Sequence, residues 1–235
     1  MLKELREHVW KANCDLGKYG LVAHAFGNAS GIDRSRGLIV IKPSGMACRA
    51  LTPEDMVTVD LEGRKVEGRL NPCSDTPSHI EIYKGFEQVS GVCQAHSEYA
   101  TMFGRAGREI LCLGTTHADN FRGPVPLARM ITAEEIAEGY ETNTGRLVVE
   151  RFAGIDPLET PAVLIPGHGV FTWGDSAEQA VLNGMILERV ARMAWGTLML
   201  SPGCESIPEC LREKHFGRKH GPDAYYGQKK RTEES

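Results

Sequence analysis

The segment from Cys73 to His96 constrains the fold of this chain most, because it holds a helix start, a helix and a buried strand in close succession. Thr76 and the proline after it predict the helix start, since proline suits the first helical position and a threonine side chain can bond free N–H groups there. The small and apolar residues 91–95 predict a short buried strand. Asp75 is therefore expected at the beginning of a helix.

Two interpretations of Asp75 and His96 are open at this point. In the first, a carboxylate and an imidazole on two rigid elements bind one metal ion together. In the second, Asp75 caps its helix and His96 is an ordinary surface histidine, because capping aspartates are common. The segment alone does not separate the two.

The rest of the chain alternates helical and strand patterns. Strands are predicted at residues 20–28, 38–42, 57–60, 65–67, 91–95, 110–113, 162–165 and 171–174. Helices are predicted to begin near residues 2, 76, 97, 132 and 176, and the fourth is expected in two pieces around Gly145. A turn at Glu62-Gly63 joins two strand patterns in a hairpin, so part of the sheet is expected to be antiparallel.

These elements predict an α/β fold, a three-layer α/β/α single domain with a mixed, mainly antiparallel central sheet. A doubly wound parallel sheet is the alternative, and the absence of Gly-x-Gly-x-x-Gly after the first strand disfavours it. The domain is expected to cover residues 1–228, with residues 229–235 as a disordered tail. The chain beyond Pro202 is polar, and a less regular structure is expected there.

Composition and charge exclude several classes of protein. The chain has 41% hydrophobic and 25% charged residues, as an ordinary soluble protein does, and its net charge of −4 argues against a nucleic-acid partner. No stretch is apolar enough to cross a membrane, and no signal peptide is visible, so a cytoplasmic location is expected. The seven scattered cysteines include no Cys-x-x-Cys pair and predict neither a disulfide framework nor a thiolate zinc site.

Polar, glycine-flanked loops follow several predicted strands. Hydroxyls and backbone N–H groups around Asn28, Ser44 and Ser74 suit a phosphate or another anion, to which Lys42 could add a positive charge. Taken singly, each loop can equally be an ordinary turn. His168 lies between two glycines that leave its imidazole accessible, so it is a candidate metal ligand. His8, His24 and His79 are expected only to pack or to face solvent.

Six motifs, spread in order from about Leu2 to Gln228, carry a family resemblance. They are Gly27-Asn28-Ala29-Ser30, Lys42-Pro43-Ser44-Gly45, Ser74-Asp75-Thr76-Pro77-Ser78-His79, Gly114-Thr115-Thr116-His117-Ala118-Asp119, Gly167-His168-Gly169 and Ala224-Tyr225-Tyr226-Gly227-Gln228. Together they resemble the class II aldolase/epimerase superfamily, and within it the L-ribulose-5-phosphate 4-epimerase family.

The resemblance implies a homotetramer with sites at the subunit interfaces and a small sugar-phosphate substrate. It implies epimerisation between L-ribulose 5-phosphate and D-xylulose 5-phosphate by cleavage and re-addition at C3–C4, with a divalent metal, usually zinc. The implied metal ligands are Asp75, His96 and His168, and the implied catalytic pair is Asp119 and Tyr226. The implied substrate-binding residues are Gly27, Asn28, Ser44, Gly45, Cys73 and Ser74. The implied supporting residues are Thr115, Thr116, Glu141, His215 and Arg218.

Gln94 departs from the family pattern, which has His-x-His where this chain has Gln94-Ala95-His96. Strand alternation places Gln94 and His96 on one face of the sheet, while Cys93 points to the other. An amide oxygen is a weak ligand for zinc, so Mn²⁺ or another divalent ion is an alternative to Zn²⁺. Two other functions therefore stay open: a class II sugar-phosphate aldolase, and a metal-depleted sugar-phosphate-binding homologue without activity.

Overall fold

The structure is a computed structural model that describes residues 2–227. Its strands are β1 (Asn28–Asp33), β2 (Leu38–Ile41), β3 (Val57–Asp60), β4 (Lys65–Glu67), β5 (Gly91–Ala95), β6 (Ala162–Leu164) and β7 (Val170–Gly174). Its helices are α1 (Leu2–Lys18), α2 (Thr76–Gly85), α3 (Glu98–Arg105), α4 (Thr115–Ala118), α5 (Ala133–Arg151), α6 (Ala177–Leu200) and α7 (Glu209–His220). Short 3-10 turns lie at Cys48–Ala50 and Pro53–Asp55. The predicted tail at 229–235, like Gln228, lies outside the described residues.

The seven strands form one sheet in the order β4-β3-β2-β1-β5-β7-β6. Every strand pair within residues 2–227 is antiparallel, and one isolated bridge, Leu127 to Leu164, is parallel. The predicted α/β class with a mainly antiparallel sheet is therefore confirmed, and the doubly wound parallel sheet is excluded.

Helices cover both faces of the sheet. The cluster on one face contains side chains of α1, α3 and α6, and the cluster on the other contains side chains of α2 and α5. Strand β1 shows the alternation, because Ala29 packs in the first cluster and Ile32 in the second. Asn28 and Ser30 share the face of Ile32, so their side chains point towards α2.

Two of the predicted strands are wrong in their bounds. The strand predicted at residues 20–28 begins only at Asn28, because Gly20, His24 and Gly27 have positive φ angles that turn the chain before it. The strand predicted at 110–113 is reduced to one bridge between Ile110 and Val125, so it adds no strand to the sheet.

Two helical segments also differ from the prediction. The helix α5 changes direction at Gly139, where φ is 157°, and not at Gly145. The polar segment beyond Pro202 contains the twelve-residue helix α7, which the weak apolar periodicity of that segment hid. Its buried residue, Phe216, is stacked on His220.

Cys14 and Cys48 form a disulfide that joins α1 to the first 3-10 turn. The scattered spacing of the cysteines gave no sign of it, since the two partners are 34 residues apart in sequence. The other five cysteines are free. Within residues 2–227, the structure contains no helix with the length and apolar character needed to cross a membrane.

Candidate functional site

Three strands and one helix bring polar side chains to the same end of the sheet. In the antiparallel register, Asn28 at the start of β1 lies opposite Gln94 near the end of β5. Ala95 lies opposite Val170 at the start of β7, so the loops just outside β5 and β7 are adjacent. These loops carry the two histidines of the predicted metal site, and α2 begins beside β1.

The amide of Gln94 lies between the two imidazoles. Its Nε2 is 3.3 Å from Nε2 of His96 and 3.4 Å from Nε2 of His168. The two rings are 5.2 Å apart between centroids. Ligands with metal bonds of about 2.1 Å around a tetrahedral ion are separated by about 3.4 Å, so these three groups have the spacing of neighbouring ligands.

Asp75 starts α2 but does not cap it. Its backbone is helical, with φ −74° and ψ 0°, and its side chain makes no capping hydrogen bond. Its Oδ2 instead accepts a 2.7 Å hydrogen bond from Nδ2 of Asn28. The interpretation of Asp75 as a helix cap is therefore wrong, and its carboxylate is directed towards the sheet end.

Burial and charge set the ionisation of the two histidines. Partial burial and the neighbouring His168 lower the pKa of His96, although the negative charge of Asp75 acts to raise it. Burial lowers the pKa of His168, although the negative charges of Asp75 and Glu141 act to raise it. Both imidazoles are therefore favoured in the neutral form, which is the form that binds a metal ion.

Several buried polar atoms at this sheet end have no hydrogen-bond partner among the described residues. They are Oδ1 of Asn28, Oε1 of Gln94 and Nδ1 of His168. Buried polar atoms are normally paired, so a cluster of unpaired ones indicates a place for a ligand, an ion or water. Within residues 2–227, however, no three His, Cys, Asp or Glu side chains form a ready-made metal site. The group that lies between His96 and His168 is the amide of Gln94, which is not one of these four residue types.

Gly27 and Gly169, which directly precede β1 and β7, permit the close packing of the strand ends. A Cβ on Gly169 would lie 2.4 Å from the carbonyl oxygen of Ala95 and 3.0 Å from the His96 ring. Gly27 has φ +76°, and a Cβ there would lie 2.3 Å from Val22. Larger residues at either position would push the strand ends apart.

The loops predicted to bind phosphate are joined to each other. The Ser44 N–H donates to the Asn71 carbonyl, and the Cys73 N–H donates to the Lys42 carbonyl. The backbone N–H groups of Ser44 and Cys73 are therefore already bonded within the loops and not free for phosphate. Burial raises the pKa of the Cys73 thiol to about 11, which keeps it protonated.

The side chain of Lys42 links these loops by hydrogen bonds. Its side chain is buried, and Nζ donates to the carbonyls of Ala25 and Met46. Burial lowers its pKa, against the charge of Asp75. A cavity of about 540 Å³ opens beside Lys42 and Gly27. Its lining contains no acidic residue, and its basic residues are Lys18, His24, Lys42 and Arg49.

Asp119 belongs to a second cluster, formed by α4 and α7. Arg218 donates to both of its oxygens at 2.9 and 2.7 Å, and Nδ1 of His215 lies 3.0 Å from Oδ1. Burial raises the pKa of the Asp119 carboxyl, but these hydrogen bonds outweigh it and lower the pKa overall. Asp119 is therefore held as a carboxylate, the form that accepts a proton.

Tyr226 lies at the outer side of this second cluster. Its ring faces the Arg218 guanidinium at 4.9 Å and the Lys219 ammonium at 5.0 Å, and its side chain is exposed. No hydrogen bond or ion pair within residues 2–227 joins the Asp119 cluster to the Gln94 site. The Asp119 cluster and the Gln94 site are therefore not linked by either kind of contact among the described residues.

Three buried residues near the site, Ser30, His79 and Tyr83, make contacts that the sequence analysis did not predict. His79 and Tyr83 on α2 both contact the hydroxyl of Ser30, at 2.7 and 2.8 Å. All three side chains are fully buried. The helical spacing of four between Asp75, His79 and Tyr83 was the available signal, since it places them on one face.

Proteins with similar sequences match nearly the whole length of this chain. A protein named L-ribulose-5-phosphate 4-epimerase UlaF from Salmonella paratyphi A is 47% identical over 228 residues, which cover 97% of this chain and 100% of the relative. The protein of the same name from Salmonella paratyphi C is 46% identical over the same length.

Solved structures share the fold. An L-fuculose 1-phosphate aldolase superposes with a TM-score of 0.75 and 20% identity, over 90% of this chain and 94% of that chain. The L-fuculose-1-phosphate aldolase of Thermus thermophilus has a TM-score of 0.66 and 24% identity, over 86% of this chain and 100% of that chain. The model of the class II aldolase and adducin N-terminal domain matches residues 7–195. With this match and the 47% identity over nearly its whole length, the chain belongs to the class II aldolase and adducin N-terminal domain family.

Proposed function

We propose that this chain is a divalent-metal-dependent epimerase that interconverts L-ribulose 5-phosphate and D-xylulose 5-phosphate. The names of relatives with 46% and 47% identity support this activity. The observation that carries the proposal is Asp75, whose carboxylate makes no capping bond to its own helix, is bonded to Asn28 beside Gln94, and acts by its charge on both His96 and His168.

The residues at this sheet end fit a divalent ion. His96 and His168 would supply imidazole nitrogens, and Asp75 a carboxylate. Turning the Gln94 amide by 180° exchanges its nitrogen and oxygen without a change of shape, and brings the unpaired Oε1 between the two imidazoles. A bound ion would act as a Lewis acid towards the substrate carbonyl. Because one donor is an amide oxygen, Mn²⁺ suits the site as well as Zn²⁺ does.

The phosphate group would bind at the loops around Gly27 and Lys42. The cation-lined cavity beside them favours an anion electrostatically. Asn28, Ser44, Gly45, Cys73 and Ser74 border the same loops and complete the proposed phosphate site. Lys42 acts there by fixing the loops, since its ammonium group is already bonded to two carbonyls.

The substrate determines the type of reaction. C4 is not adjacent to the carbonyl at C2, so a base cannot simply remove its proton. The C3–C4 bond can break instead, giving the enediolate of dihydroxyacetone and glycolaldehyde phosphate. Rotation of the aldehyde and re-formation of the same bond on its other face inverts C4, and no atom is gained or lost. The bound phosphate keeps the aldehyde in the site during this rotation.

Proton transfer at the C4 oxygen needs one group on each side. Asp119, held as a carboxylate by Arg218, can accept the hydroxyl proton, and the Tyr226 phenol can donate one. Because the family resemblance implies sites at subunit interfaces, we assign these two residues to the site of a neighbouring subunit in a homotetramer. His215 would hold Asp119 in position.

Gln94 favours a second candidate, a sugar-phosphate-binding homologue that has lost its metal and its activity. Incubation with L-ribulose 5-phosphate and added Mn²⁺ or Zn²⁺ separates the candidates. The epimerase forms D-xylulose 5-phosphate, and a chelator stops it. An aldolase releases free dihydroxyacetone and glycolaldehyde phosphate instead. Absence of both products with every added ion would support the inactive homologue.

A further inference from the structure

One face of α2 is tied to β1 by a ladder of side chains. Asp75, His79 and Tyr83 follow one another at intervals of four residues and therefore share this face. Asn28 and Ser30, two residues apart on β1, point towards it. The first rung joins Asn28 to Asp75, and the second joins Ser30 to both His79 and Tyr83.

The second rung is buried and uncharged. Burial lowers the pKa of His79 to about 4, so its imidazole is neutral near pH 7. The single Ser30 proton can be donated to only one partner, so the other partner must donate to the Ser30 oxygen. Such a network inside an apolar cluster fixes one arrangement, because any shift would leave a buried polar group without its partner.

His79 contacts both sides of the sheet-end site. Its backbone N–H donates to the backbone carbonyl of Asp75 at 3.1 Å, the usual helical bond that links the two residues along α2. Its ring packs edge-on against Phe171, with 5.9 Å between centroids, and Phe171 in turn packs against the ring of His168. The His79 side chain thus contacts Ser30 and, through Phe171, the packing around His168, while the helix backbone connects it to Asp75.

The missing side-chain cap at Asp75 explains why contacts between α2 and β1 are needed. Aspartate at a helix start usually turns its carboxylate back onto the first N–H groups of the helix, which fixes the first turn. Asp75 does not do so. Other contacts must then hold the beginning of α2. The rungs to Asn28 and Ser30 are among them, beside the hydrogen bond from the Ser78 hydroxyl to the Glu141 carbonyl.

We propose that His79, through Ser30 and Tyr83, is a positioning residue that holds the first turn of α2 against β1 and so presents the Asp75 carboxylate to the sheet-end site. The effect on metal binding rests on the proposed function, whereas the effect on the Asn28–Asp75 hydrogen bond does not.

The test compares four proteins: wild type, His79→Leu, His79→Asn and Ile82→Val. The asparagine keeps a polar atom that can reach Ser30, and the leucine does not. Ile82 is a buried apolar residue of α2 that takes no part in the ladder, so Ile82→Val controls for loss of stability alone. The first readout is exchange of the Asn28 side-chain amide protons, measured by NMR without metal. The second is Mn²⁺ and Zn²⁺ affinity against a chelator.

We expect faster Asn28 amide exchange in His79→Leu, with slow exchange in the other three proteins. We also expect ion affinity about 10–100-fold lower in His79→Leu, the usual effect of removing a group that orients a ligand. Unchanged exchange in His79→Leu, or equal exchange in His79→Leu and Ile82→Val, would overturn the positioning role. Faster exchange in His79→Leu, together with a wild type that binds no ion, would support the role and refute the metal proposal instead.

Discussion

The side-chain Nε2 of Gln94 lies 3.3 Å from Nε2 of His96. Both side chains come from one face of β5 and its extension, and His168 approaches the same amide from the loop before β7. A sheet end that would be expected to hold three imidazoles therefore holds two and an amide. An amide oxygen donates less strongly than imidazole to zinc, so the identity and occupancy of the ion become the properties that distinguish this chain.

The acid–base pair can be tested with closely matched variants. We predict that Asp119→Asn and Tyr226→Phe each reduce epimerisation by about 10²–10⁴-fold, the usual contribution of a general acid or base. Tyr225→Phe is the control, because Tyr225 is a neighbouring exposed tyrosine without an assigned role. Turnover and circular dichroism are measured together. Near-normal turnover in both variants would remove the pair from the mechanism.

The proposed assignment of Asp119 to the site of a neighbouring subunit predicts complementation between subunits. Asp75→Asn and Asp119→Asn damage different halves of a site, so each alone should be inactive. After subunits are exchanged in mild denaturant and refolded, random mixing should restore about a quarter of the sites. No recovery from a mixture that light scattering shows to be exchanged would place both residues in one subunit. A monomer under active conditions would also contradict the shared site.

His117 should make folding stability depend on pH. Its Nε2–H donates to the Gly123 carbonyl, its ring packs on Phe121, and burial lowers its pKa from 6.5 to about 4. Between these values the unfolded chain binds more protons, so stability falls as pH falls. The wild type should lose about 2 kcal/mol more than His117→Gln between pH 7 and pH 5. Urea midpoints at the two pH values measure this, and equal losses would contradict it.

The disulfide between Cys14 and Cys48 should contribute to stability. It closes a loop across 34 residues, for which the loss of unfolded-state entropy predicts about 2–4 kcal/mol. Cys14→Ser should lower the free energy of unfolding by that amount, and Cys210→Ser, which removes an exposed free thiol, should not. Unfolding without reductant should expose five reactive thiols. Seven reactive thiols would show that the bond is absent.

The fold was largely predictable because most elements carry local signals. The helix stripe of α1, the capping box at Thr132 and Glu135 and the β3–β4 hairpin are each encoded within a few residues. The errors arose where local signals were weak. Helix α7 has little apolar periodicity, and residues 110–113 look like a strand but pair at a single bridge.

For the site, the sequence predicted one contact that the structure shows, while the proposed metal ligands and catalytic pair stay predictions. The motifs pointed to Asp75 and His168, and strand alternation correctly placed Gln94 beside His96. Hydrogen-bond partners depend on distant segments, so the pattern did not show that the Cys73 N–H is bonded to Lys42. The contact between Ser30 and His79 was hidden for the same reason, because the two residues are 49 apart in sequence.

A zinc competition titration of wild type and Gln94→His against a chelator, with epimerisation measured on the same samples, tests whether Gln94 lies at a metal site. If Gln94 lies at the ion, the imidazole of Gln94→His should raise zinc affinity by at least about 10–100-fold. Changes to residues that only orient a metal ligand already have effects of that size. Wild type should gain activity when Mn²⁺ or Zn²⁺ is added. Equal zinc affinity would show that Gln94 is not at a metal site. Tighter zinc in the variant without activity in either protein would contradict the epimerase.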